Sequence, residues 1–71
     1  MNSYKEIIEQ WPSAQEFGTD VGVTGSLARV WKSRNTLPPR HWNLVVEKGQ
    51  ARGIDISLDL LAELAERREA A

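Results

Sequence analysis

Ser13–Trp31 reads SAQEFGTDVGVTGSLARVW, and its punctuation decides the fold. Ser13-Ala14-Gln15-Glu16 is a capping box, in which the serine hydroxyl and the glutamate carboxylate can satisfy two orphan amides at a helix start. Phe17 and Val21 then lie one turn apart on one face. Gly22 can take the positive φ that stops a helix, and Val23 follows as an apolar pin. From Thr24 a second helix is expected to run to about Arg34. Leu27, Ala28 and Trp31 recur there at helical spacing as the packed side, and Arg29, Lys32, Ser33 and Arg34 occupy the rest. The segment is two short helices joined by a glycine turn.

The flanks supply further helices. Ser3-Tyr4-Lys5-Glu6 is a second capping box, opening a helix over about 3–11 that carries Ile7, Ile8 and Trp11 and is ended by Pro12. Asn35 and Thr36 form a polar connector. Pro38-Pro39 sets up a helix over about 39–52, with Trp42, Val45, Val46 and Gly49 on one face and Arg52-Gly53 at its close. Ile54-Asp55-Ile56 is short and β-branched, either an extended connector or an edge pairing element. Ser57, with Asp59 just inside, caps a last helix over about 57–69. Leu58, Leu61, Ala62 and Ala65 form its stripe, widened by Leu60 and Leu64, and the tail ERREAA reads as a frayed, charged end. That stripe exceeds what a terminal helix needs, so it either meets another subunit or folds back on its own core. Trp11, Trp31 and Trp42 come from three helices and are expected to pack with one another. The expectation is an all-α, five-helix single domain over 1–71.

Composition is consistent with one small core: 71 residues, 41% of them hydrophobic. A chain this short buries a limited share of its surface, so a partner subunit would help stabilise it. With no cysteine and one histidine, neither a disulfide framework nor a zinc site is expected. No apolar run reaches the length of a membrane span, and MNSYKEIIEQ is too polar for a signal peptide, so a soluble, intracellular protein is expected. The net charge is −1, but its distribution is uneven. Residues 1–20 carry Lys5 against four acids, and 47–71 carry four cations against six acids. Val21–Val46 holds Arg29, Lys32, Arg34 and Arg40 with no acid at all. Any one of these cations alone would be an ordinary solvated residue, but together they make a patch suited to tracking a phosphate backbone.

The glycine-turn pair also occurs in helical bundles that bind nothing. Its residues nevertheless resemble the Cro and repressor helix-turn-helix family of phages and bacteria. Phe17, Gly18, Val21, Gly22, Val23, Ala28 and Trp31 fall where that family places apolar or small residues. Trp31-Lys32 followed by Leu37-Pro38-Pro39 is similar to the end of the family's second helix and the start of the next. The resemblance covers about Ser3 to Val46. Two features depart from it: Gly18 stands where alanine is usual, and Leu27 and Val30 lie on or near the face that would meet DNA.

The resemblance implies a regulator of transcription in the bacterial cytoplasm, binding double-stranded DNA as a homodimer at a two-fold symmetric operator. Four cations give a modest footprint for one chain, and dimerisation would double it. Arg29, on the second turn of the reading helix, is the first candidate to reach a base edge, where arginine pairs with guanine. Thr24, Gly25 and Ser26 form the helix start, either receiving a phosphate oxygen on free amides or simply capping. Gln15 would touch phosphate or buttress Arg29. Lys32, Arg34 and Arg40 are expected to position phosphates, and Ser33 completes the candidate set. Leu27 and Val30 are read as packing residues before thymine contacts.

Catalysis is not expected. His41 lacks a nucleophile or carboxylate at a spacing that suggests a working pair, and no phosphate-cradling glycine loop occurs. No cofactor, metal or small-molecule ligand is implied. The competing reading is a protein-interaction module that keeps this scaffold and binds its partner through the leucine-rich last helix.

Overall fold

The computed structural model describes residues 2–70, with side chains described for 2–67. Five α-helices and one 3₁₀ turn make up its regular structure, with no strand among the described residues. The helices are α1 (Tyr4–Glu9), α2 (Ala14–Val21), α3 (Gly25–Arg34), α4 (Trp42–Ala51) and α5 (Leu58–Ala70), and the 3₁₀ turn Pro39–His41 leads into α4. The chain is thus all-α as expected, and none of the described helices is long and apolar enough to cross a membrane.

Local chemistry sets the helix starts. Ser3 Oγ accepts from the Glu6 amide, Ser13 Oγ from Glu16, Thr24 Oγ1 from Leu27 and Ser57 Oγ from Leu60, so each start satisfies an orphan donor. Both capping boxes are only half as expected. The Glu6 carboxylate accepts from the Asn2 amide, one residue before the cap, and the Glu16 carboxylate lies 3.8 Å from Arg52 Nη2. A long-range cation draws Glu16 away from its local partner.

The helix ends are equally local. Gly22 is left-handed (φ 77°), and the Val23 amide donates to the Gly18 carbonyl at 2.8 Å, closing α2. Asn35 (φ 53°) does the same for α3, with Thr36 N–H donating to Trp31 O at 2.9 Å. Its side chain takes a second role unseen in the sequence: Asn35 Oδ1 accepts from the Lys5 amide at 3.0 Å, so the end of α3 caps the start of α1. α1 stops at Glu9, two residues short of expectation, and Trp11 Nε1 donates to Asp20 Oδ2 at 2.8 Å.

One core joins all five helices, built from Tyr4, Ile7, Ile8, Trp11, Phe17, Val21, Ala28, Trp31, Leu37, Val45, Ile56, Leu61 and Leu64. The tryptophans do not pack with one another as expected. Trp11 and Trp31 both meet Phe17 edge-on, at centroid distances of 4.9 and 6.3 Å, while Trp42 tilts against Tyr4 at 6.5 Å. Small phenylalanine and tyrosine rings fit between helices where two indoles would not. Ile54–Ile56 resolves as an extended connector, with Ile56 buried against Gly49.

α5 folds back on the core. Leu61 and Leu64 are buried, Leu60 and Ala65 are half-buried, and Tyr4 Oη donates to the Leu61 carbonyl at 2.9 Å. Leu58 and Ala62, expected on the packed stripe, are exposed. The buried edge of α5 is the one that packs on α4 and that Tyr4 reaches at the Leu61 carbonyl. Of the tail ERREAA, the helix continues to Ala70, while the side chains of 68–70 and all of residue 71 lie outside the described residues.

Asp20 links three elements. It accepts from Arg52 Nε at 2.6 Å and Nη2 at 3.3 Å as well as from Trp11, tying the end of α2 to the ends of α1 and α4. The Arg52 hydrogen bonds, then that of Trp11, hold its carboxyl below the ordinary value. A carboxyl depressed in the folded state contributes stability above its unfolded pKa of about 4 and loses it as pH falls through the lower folded value. Asp20→Asn is therefore expected to lower stability at pH 7 and to flatten its decline below about pH 4. Urea denaturation of both forms across pH checks this, and parallel acid limbs would refute it.

Candidate nucleic-acid interface

α2 and α3 meet at Gly18. A Cβ there would lie 2.7 Å from the Val23 carbonyl oxygen and 3.0 Å from that of Thr24, both on the turn. The turn lies directly against α2, closer than alanine allows. At the other end of the pair, Gly25 is buried beneath the side chain of Gln15, which a Cβ at Gly25 would strike. Gly18 thus sets how closely the turn approaches α2, whereas at Gly25 the Gln15 side chain could move aside.

α3 divides sharply. Gly25, Ala28 and Trp31 face inward. Ser26, Leu27, Arg29, Val30, Ser33 and Arg34 are exposed and cover the outer half of the helix. Leu27, expected on the packed side, is 39% exposed. The spacing of Ala28 and Trp31 with Gly25 outcompetes it, because the close approach at Gly25 brings that edge of α3 inward. Val30 is 42% exposed, so it too stands outside the core rather than packed in it as expected.

The candidate residues gather in part. Gln15, Arg29, Lys32 and Ser33 line one groove together with Lys5, Ser13 and Ala14. A second, shallower groove is lined by Arg29, Val30, Ser33 and Arg34. Among the described residues, no carboxylate pairs with Arg29 or Arg34. Lys32 differs: its Nζ lies 3.8 Å from Glu9 Oε2 across to α1, an exposed pair worth roughly 0.2–1 kcal/mol. A phosphate can displace so weak a partner.

Thr24 acts as the α3 N-cap, and Ser26 stands exposed on the first turn. Arg40 lies apart on the 3₁₀ turn, lining neither groove, and its Nε donates to His41 Nε2 at 3.3 Å. His41 is half-buried, its ring 4.9 Å from that of Trp31. Lys5 was absent from the candidate set. It belongs to α1, and no sequence spacing places it beside Arg29; the Asn35 link between α1 and α3 does so.

No family model, no curated protein and no solved structure matches this chain. Among the described residues no cluster of His, Cys, Asp or Glu could hold a metal ion. What the α3 face offers is a surface of guanidinium, hydroxyl and apolar groups with two open grooves along it. Cations and hydroxyls arranged this way can hold a polyanion.

Proposed function

We propose that this chain is a Cro-type helix-turn-helix domain that binds double-stranded DNA sequence-specifically. It acts as a homodimer on a two-fold symmetric operator and represses transcription by occluding a promoter. The observation that carries this reading is the outer half of α3, where Arg29, Arg34, Ser26 and Ser33 are exposed with no acid among them. A helix presented this way fits the B-DNA major groove, with α2 held close behind the turn at Gly18. Arg29 reads a base edge, most simply guanine. Lys5, Gln15, Lys32 and Arg34 position the backbone, and Arg40 extends the footprint past the end of α3.

The domain is non-catalytic, needs no metal or cofactor, and works in a bacterial cytoplasm, as the resemblance implies. Repression is carried over from the resemblance to the Cro and repressor family. The interaction-module reading is weaker with Leu61 and Leu64 in the core, because among the described side chains of α5 the exposed apolar groups are Leu58 and Ala62.

Gel shifts on the chain's own upstream DNA at two salt concentrations test the proposal. Binding should be sequence-selective and fall steeply with salt, because cations that neutralise phosphates release counterions. Arg29→Ala should cost about 1–3 kcal/mol on the selected sequence and little on unrelated DNA. No shift at low salt, or one indifferent to sequence and to Arg29, would leave the interaction module as the better reading.

A further inference from the structure

Three large hydrophobic side chains are exposed among the described residues, and two of them, Leu27 and Val30, stand on the outer face of α3. Neither belongs to the core or to the residues packed against it. The third is Leu58 on α5. Leu27 and Val30 stand among the exposed cations of α3, where apolar and charged groups form one surface.

The face is organised in two strips. At about 100° per residue, Val30, Arg34 and Leu27 fall within roughly 60° of one another, and Arg29, Ser33 and Ser26 form the neighbouring strip. Leu27 and Val30 are separated by a rise of about 4.5 Å, comparable with the roughly 3.4 Å between stacked base pairs. In the major groove the apolar edge group is the C5-methyl of thymine. The arginines on both strips select a polyanion over an apolar protein surface, and the deep, narrow major groove of duplex RNA excludes a helix.

We propose that Leu27 and Val30 read thymine methyl groups at neighbouring base pairs, making them specificity determinants. This rests on the DNA-binding reading above and adds a chemical rule to it: the half-site contains thymines that cannot be replaced by uracil. Uracil keeps every hydrogen-bonding group of thymine and lacks only the methyl, so the substitution isolates the contact.

The experiment uses the full chain. Short random-sequence duplexes are selected for binding, and the preferred sequence is then synthesised with uracil at each thymine in turn. Wild type should lose roughly four-fold in affinity at one or two thymines of each half-site, the worth of one buried methyl group. Val30→Ala should bind the thymine duplex with a similar loss and no longer distinguish uracil at one of those positions, and Leu27→Ala should do so at the other. Both variants should melt at the wild-type temperature, since neither side chain is in the core. Uracil tolerated everywhere, or discrimination unchanged in both variants, overturns the methyl reading while leaving DNA binding intact. Failure to enrich any duplex at low salt overturns both readings.

Discussion

Phe17→Ala is expected to leave the chain largely unfolded at 25 °C. Phe17 is fully buried, and both Trp11 and Trp31 meet its ring edge-on, at interplanar angles of 88° and 80°. Truncation to alanine removes the ring on which both Trp11 and Trp31 pack and leaves a cavity between them. Such a change costs about 3–5 kcal/mol, as much as a core in a domain this small commonly supplies. Far-UV circular dichroism and tryptophan fluorescence during urea denaturation report it directly, because two of the three tryptophans pack on Phe17. A cooperative transition with a loss below about 1 kcal/mol would show that the core is centred elsewhere.

Gly18→Ala is expected to destabilise, although a helical glycine replaced by alanine ordinarily gains about 1 kcal/mol. The added methyl would meet two carbonyl oxygens of the turn, at 2.7 and 3.0 Å, and backbone cannot rotate aside as a side chain can. Overpacking of this kind costs about 1–3 kcal/mol, so the net effect is a loss, with a shift of α3 relative to α2. Thermal melting checks the sign: in a domain of this size each kcal/mol moves the midpoint by about 4–8 °C. A raised midpoint would mean that the turn yields. Under the DNA-binding proposal, the same variant should lose more affinity than its stability alone explains.

The starts and ends of the elements could be read in the chain itself. Ser3, Ser13, Thr24 and Ser57 cap helices because a short hydroxyl side chain reaches an amide three residues on, whatever else the protein does. Gly22 ends α2 for an equally local reason. The faces of the helices were less legible. On α3 the apolar pattern puts Leu27 with Ala28 and Trp31 inside, where the structure puts Gly25, and on α5 it puts Leu58 and Ala62 on the packed stripe, where the structure exposes them. An amphipathic pattern defines a broad stripe, and a neighbouring helix selects the edge of it that is buried.

What the sequence determined by itself was therefore the helical content, the boundaries to within a few residues, and the acid-free stretch that holds Arg29 and Arg34. Each depends on groups within about one helical turn or on composition alone. Only the tertiary structure decided that Asn35 caps α1, that Asp20 gathers Trp11 and Arg52, that Lys5 stands beside Arg29, and that Leu27 and Val30 face outward. These depend on how helices from different parts of the chain are placed against one another, as Asn35 is against Lys5 and Asp20 against Arg52. Periodicity carries no record of such placement, because it describes each helix alone.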